Sequence, residues 1–203
     1  MRIKNSNVTR HNYSDIYQKV NLILKKYKKN NSFVVGVSGG PDSLALVSIT
    51  KSIAVEKKYK FFFALVDHGL RKNSNKEALS VKKLLKKQNL TLSILKNKQK
   101  ITKNIQKNAR DIRYELLGKF CKKKNAKSLL VAHHQDDQIE TFLIRLSRGS
   151  GVEGLSSMQE MTTLKNGTRL IRPLLDFKKT DLIKITKNIF VILIRSVFLK
   201  SRR

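Results

Sequence analysis

At 203 residues, 40% of them hydrophobic, the chain is long enough for one well-cored domain with a short appendage and too apolar for wholesale disorder. The 44 Lys and Arg against 14 Asp and Glu give a formal charge of +30, which favours a polyanionic partner through counterion release, on top of a compositional bias that scatters Lys over solvated helix faces. The single Cys121 excludes an intramolecular disulfide framework and a Cys-rich zinc or iron–sulfur site; with no apolar signal core and no run near the roughly 20 residues of a membrane span, the cytoplasm is the expected compartment.

Residues 1–12 are polar and aperiodic, and read as loose. Ile16, Val20, Ile23, Leu24 and Tyr27 fall at helical spacing behind a Ser14 cap. Phe33 to Val37 is an apolar, β-branched run that breaks into Ser38-Gly39-Gly40-Pro41-Asp42-Ser43, and Leu44 to about Glu56 is a crossover helix. Lys60 to Val66 is a nearly continuous apolar run, as in a strand buried on both faces of a parallel sheet, and it ends in Asp67-His68-Gly69-Leu70-Arg71. Ser74 caps a helix with Ala78, Leu79, Val81, Leu84 and Leu85 as its stripe. Leu90 to Leu95 reads as a third strand, about Asn104 to Lys124 as a long helix, and Ser128 to Ala132 as a fourth strand ending in His133-His134-Gln135-Asp136-Asp137. The next helix is expected to turn Ile139, Phe142, Leu143 and Leu146 inward. Residues 148–170 read as an extended functional loop, Leu170 to Leu175 as a short edge strand to which Pro173 is suited, and Thr180 to Asn188 as a last helix.

Strands alternate with helices, which predicts an α/β fold: an open parallel sheet flanked by helices on both faces, with right-handed crossovers. Ligands of such sheets bind at the carboxyl ends of strands, and three strand ends carry the unusual residues. The Gly-rich turn after the first strand suits an anion, most naturally phosphate or pyrophosphate. Its N–H groups point into one concavity, the following helix adds its positive end, and Ser38 and Ser43 add hydroxyls. It is neither G-x-x-x-x-G-K-[ST] nor G-x-G-x-x-G. Asp137 lies one helical turn from Glu140 and Thr141, and carboxylates beside a triphosphate would bind Mg²⁺ through oxygen. A zinc site is disfavoured because adjacent His133 and His134 lack the i, i+4 spacing. Gln106, Arg110 and Arg113 line one helical face with Tyr114 beside them, and Arg forks suit phosphate or carboxylate. Arg148-Gly149-Ser150-Gly151-Val152-Glu153-Gly154-Leu155 reads as a loop closing on a nucleotide or nucleic acid.

These strings, taken jointly with Met158 and Arg172-Pro173-Leu174-Leu175, resemble the tRNA(Ile)-lysidine synthetase family, and the Ser38–Ser43 turn alone resembles the PP-loop of ATP pyrophosphatases. The resemblance spans roughly residues 20–188 and implies a Rossmann-like sheet of the PP-loop, adenine nucleotide alpha hydrolase type. It implies ATP and Mg²⁺ as cofactors, free L-lysine and a tRNA(Ile) with a CAU anticodon as substrates, no membrane partner, and room for a homodimer. ATP would activate C2 of the wobble cytidine, pyrophosphate would leave, and the lysine amine would displace AMP. On this reading Ser38, Gly39, Gly40, Pro41, Asp42, Ser43, His68 and Arg110 bind ATP, and Asp42, Arg113, His133 and Asp137 are catalytic. Asp42 and Asp137 also hold Mg²⁺, and Arg148 and Arg172 contact tRNA.

Two other readings stand beside it. One is a tRNA thiolase of the same superfamily, which the single cysteine disfavours. The other is a truncated, inactive tRNA-binding form. Residues 1–188 form the expected catalytic domain. Residues 189–203, where the family continues into further tRNA-binding domains, run Ile189 to Ile194 and then Arg195 to Arg203, and read as a terminal strand, a truncation or a shifted reading frame.

Overall fold

A computed structural model describes residues 4–27, 29–99, 101–149 and 157–190, with side chains from Tyr13 to Lys187. Helices α1 (Lys4–Tyr27), α2 (Pro41–Glu56), α3 (Ser74–Lys86), α4 (Ile105–Lys123), α5 (Gln135–Ser147) and α6 (Lys179–Phe190) accompany six strands. These are β1 (Ser32–Gly36), β2 (Lys60–Asp67), β3 (Leu92–Lys96), β4 (Ser128–Leu130), β5 (Met161–Thr163) and β6 (Arg169–Ile171). They form one sheet in the order β3-β2-β1-β4-β6-β5. Every pair is parallel except β5 with β6. The order turns around at β1, whose Val35 pairs with Phe63 of β2 on one side and Leu130 of β4 on the other. The crevice at the carboxyl ends of β1 and β4 is therefore the topological switch point, where an open α/β sheet receives its ligand.

The period of two along β1 sorts its side chains into two cores. Phe33 and Val35 join Ile16, Leu24, Leu44, Leu46, Val81, Leu85, Leu182 and Ile185, from α1, α2, α3 and α6. Val34 faces the other way, onto Leu117, Phe120 and Cys121 of α4 with Leu129 and Leu170. Nine residues of α2 are buried, because this helix is wedged between the sheet and two other helices; Thr186 Oγ1 of α6 donates 2.6 Å to the Pro41 carbonyl at its start.

Five expectations are corrected. Residues 4–12 are helical; their polar composition gives no apolar period to read. The 148–170 stretch holds a three-residue strand, β5, which is the antiparallel edge, while residues 150–156 lie outside the described residues. β6 sits between β4 and β5 and ends at Ile171, so Pro173 falls past the ladder and not on an edge strand. α6 runs Lys179–Phe190, past the helix end expected at Asn188, and residues 191–203 lie outside the described residues. Finally, α5 buries none of its residues: Ile139, Phe142, Leu143 and Leu146, expected inside, are 54%, 42%, 54% and 52% exposed. Among the described residues, no helix is long and apolar enough to cross a membrane.

Candidate active site

The turn after β1 is built from its own side chains. Gly39 has φ +85°, and a Cβ there would lie 2.6 Å from Val81 Cγ2, so both conformation and space demand glycine. Ser43 Oγ accepts from Ser38 N (3.2 Å) and Ser38 Oγ (3.1 Å) and donates to the Gly40 carbonyl (2.9 Å). Pro41 opens α2, where its missing N–H costs nothing, and no side chain caps Gly40. The positive end of α2 thus faces the crevice with donors to spare, the arrangement that takes an anion.

A cavity of about 410 Å³ opens beside it. Ser38, Asp42 and Ser43 line one wall, Val66, Asp67 and His68 from the end of β2 another, and Arg113, Tyr114, Val131 and His133 the back. That volume falls within the range of small-ligand pockets. Buried Asp67 accepts from Gly69 N at 3.0 Å, which shapes the turn presenting His68. Arg110 and Arg113 flank the Tyr114 ring, their guanidinium carbons 5.3 and 5.6 Å from its centroid.

Successive residues leaving β4 point to opposite sides. His133 lines the cavity, and burial, reinforced by the positive charges of Arg172, Arg110 and Arg113, pulls its pKa down to about 4. Burial and Arg113 likewise lower His68. His134 is 4% exposed and turns toward two acids: its Nε2 lies 3.6 Å from Asp42 Oδ2 and 3.6 Å from Asp137 Oδ2. Asp137 also accepts from His134 N at 2.9 Å, anchoring the first turn of α5. Burial raises the pKa of Asp42, opposed by His134 and Lys179. Among the described residues, the buried Asp42 Oδ1, His68 Nδ1, Arg113 Nε, His133 Nδ1 and Arg172 Nε have no hydrogen-bond partner. Buried polar groups are seldom left so, and a cluster of them marks a place for a ligand.

Ser38, Asp42, Ser43, His68, Arg113 and His133 meet at the cavity. Gly39, Gly40 and Pro41 build its cradle, Asp137 reaches it through His134, and Arg110 lies on the exposed shoulder beside Tyr114. Arg148 is exposed at the end of α5. Arg172 is not a surface contact. It is 6% exposed and donates through Nη1 to the Gln159 carbonyl (2.8 Å) and Thr162 Oγ1 (3.2 Å), so it braces β5, and its charge bears on His133. The roles of His134, Tyr114 and Asp67 went unassigned from the sequence. The alternation of side chains leaving a strand was the available signal for His134.

Asp42 and Asp137 present carboxylates from two elements, one oxygen of Asp42 being buried without a partner, which fits a hard divalent cation completed by phosphate oxygens and water. Among the described residues no cluster of three or more His, Cys, Asp or Glu could hold a metal by itself.

An anion loop at the switch point of a parallel sheet, opening on a nucleotide-sized cavity, defines an α/β nucleotide-binding domain. Residues 12–191 match the model of the PP-loop domain, an ATP-binding class, and the chain belongs to that family. Over 161 residues it is 48% identical to a tRNA(Ile)-lysidine synthase of Wolbachia pipientis wMel, covering 78% of this chain and 37% of that protein. It is 44% identical over 158 residues to a tRNA(Ile)-lysidine synthase of Wolbachia sp. subsp. Brugia malayi (strain TRS), covering 76% and 36%. The chain thus spans little more than a third of these relatives. Among solved structures, the U34-tRNA thiolase NcsA of Methanococcus maripaludis superposes with TM-score 0.74 at 16% identity, covering 92% of this chain and 67% of that one, a likeness of fold alone.

Proposed function

We propose that this chain carries the ATP-dependent chemistry of a tRNA(Ile)-lysidine synthase. The observation that carries the reading is the convergence of the Ser38–Ser43 loop, Arg113 and His133 on one cavity, with Asp42 and Asp137 joined across His134 at its rim. In a chain 48% identical to such a synthase, these groups match what the reaction needs.

The loop holds the β- and γ-phosphates at the start of α2. The wobble cytidine, taken out of its stack, enters the cavity and its C2 oxygen attacks the α-phosphorus, releasing pyrophosphate. Arg113 and the neutral His133 line the wall where negative charge grows on the α-phosphate, in a site whose donors are already oriented. The amine of lysine then adds to C2 and AMP leaves with the bonding electrons. Asp137, the more exposed of the two acids, is the group assigned here to orient the ammonium group of lysine. Mg²⁺ held by Asp42 and Asp137 would neutralise charge on the phosphates. Arg110 and Arg148 remain on the surface, available to a nucleic-acid backbone.

Sulfur transfer is the poorer reading. Cys121 is buried in α4 with its thiol pushed up to about 12 by burial, a structural and not a nucleophilic cysteine. An inactive tRNA-binding form is separated by assay. With a CAU-anticodon tRNA(Ile), the synthase reading expects ATP–pyrophosphate exchange and ATP-dependent incorporation of labelled lysine, both lost in Asp137→Ala. RNA binding without either reaction refutes it, and incorporation unchanged in Asp137→Ala removes that residue from the mechanism.

A further inference from the structure

Tyr114 stands among cations that have no acid to hold them. Arg110, Arg113 and Arg172 all bear on buried His133, so three like charges share one side of the site. Arg172 is fixed by the Gln159 carbonyl and Thr162 Oγ1. Among the described residues, Arg110 and Arg113 have neither an ion pair nor a side-chain hydrogen bond, and Arg113 Nε is buried without a partner. What both lie over is the Tyr114 ring, with guanidinium carbons 5.3 and 5.6 Å from its centroid. The ring is itself anchored: it is half-buried, lines the cavity and packs on the core that holds Leu117, Phe120 and Leu129.

That choice of partner has a chemical consequence. A carboxylate would fix a guanidinium, but it would also cancel the charge and occupy the paired N–H groups a phosphate needs. A ring face holds the planar fork and leaves its N–H donors free. We propose that Tyr114 is a positioning residue, whose ring holds the Arg113 guanidinium, unneutralised, for the α-phosphate of the nucleotide. This role rests on the cavity being an ATP site. Arg110 and Arg113 both engage the ring, which leaves it a poor platform for stacking a base.

Equilibrium binding tests this without tRNA or lysine, so that its failure stays distinct from failure of the synthase reading. Tyr114→Leu keeps an apolar side chain on the core and removes the ring. ATP and AMP, which carry the α-phosphate, should then bind about tenfold more weakly, while inorganic pyrophosphate, gripped by the Ser38–Ser43 loop, should bind within about twofold of wild type and so report an intact fold. Tyr114→Phe keeps the ring and should hold ATP affinity within about threefold. A fluorinated phenylalanine in place of Tyr114 keeps the volume but drains the negative ring face, and should fall between the Phe and Leu variants. On an Arg113→Ala background, Tyr114→Leu should cost nothing further. Equal losses for ATP, AMP and pyrophosphate, or the same loss with the Arg113 guanidinium removed, make Tyr114 a packing residue and overturn the proposal. Wild-type ATP affinity in Tyr114→Leu overturns it too. So does a loss as large in Tyr114→Phe, which places the role in the hydroxyl, or weaker tRNA binding with ATP and AMP unchanged, which makes the ring a platform for a base.

Discussion

Gly39→Ala probes the cradle at its tightest point. Two costs are built in. The first is conformational: φ +85° is open to glycine and costs an L-residue about 1–2 kcal/mol. The second is steric: the new Cβ would sit 2.6 Å from Val81 Cγ2, far inside ordinary contact, and overpacking of this kind costs about 1–3 kcal/mol. Val81 cannot swing aside cheaply, because a β-branched side chain in a helix has essentially one rotamer. The expected loss is about 2–5 kcal/mol of unfolding free energy, a large share of the roughly 5–15 kcal/mol a domain holds. A double-mutant cycle with Val81→Ala separates the two costs, read by urea unfolding and by equilibrium ATP binding. Alone, Val81→Ala destabilises by about 1–2 kcal/mol through lost burial. On the Gly39→Ala background it should be neutral or stabilising, a coupling of about 1–3 kcal/mol. The conformational cost is not relieved, so ATP affinity should remain at least about tenfold down in the double variant. Strict additivity, or wild-type ATP affinity in Gly39→Ala, would refute both the contact and the cradle's dependence on that backbone angle.

His133 has a folded pKa near 4 against an ordinary 6.5, so the unfolded chain binds the extra proton first. Stability from this group is full above pH 6.5 and is lost as pH falls toward 4, by about 3 kcal/mol at most; His133→Gln should flatten that part of the stability profile, and an unchanged slope counts against a buried neutral ring. Arg172→Ala strips partners from the Gln159 carbonyl and Thr162 Oγ1 and should cost about 2–4 kcal/mol in urea unfolding. The salt slope of tRNA binding should not change; a slope reduced by about one, with stability intact, would return Arg172 to the nucleic-acid surface. Cys121, buried with its thiol raised to about 12, should react with thiol reagents only at the rate of unfolding; rapid labelling of the native protein contradicts its place in the core.

Much of the site was legible because backbone geometry restricts which residues can build it. A turn needing φ +85° beside Val81 admits only Gly39, and a helix start whose first N–H groups have no intrahelical partner favours Pro41 at its first position. The parallel strands β1, β2 and β4, buried on both faces, read as continuous apolar runs, and their carboxyl ends follow from topology. β5 was invisible for the converse reason. Its three residues, Met161 to Thr163, hold too little pattern for a period of two, and pairing with β6 alone makes them a strand. That pairing also explains Arg172. Read as one arginine in a basic chain it belongs on the surface, but β5 folding back over β6 brings the Gln159 carbonyl and Thr162 hydroxyl to it and closes solvent out.

The α5 stripe shows where periodicity stops being informative. The spacing of Ile139, Phe142, Leu143 and Leu146 says that one face is apolar; it does not say which surface that face meets. An inward reading of that face takes the sheet as partner, as α3 and α4 do. The sheet is unavailable because the first turn of α5 is committed elsewhere. Asp137 caps the helix through His134 N, Gln135 N donates to the Phe177 carbonyl, and Gln138 ties down Met158. Those three bonds hold Asp137 beside His134 and tie down the first turn of the helix, which buries none of its residues. The geometry that sets Asp137, on the first turn of α5, beside His134 thus also leaves five large apolar side chains of that helix, Ile139, Phe142, Leu143, Ile144 and Leu146, exposed to solvent.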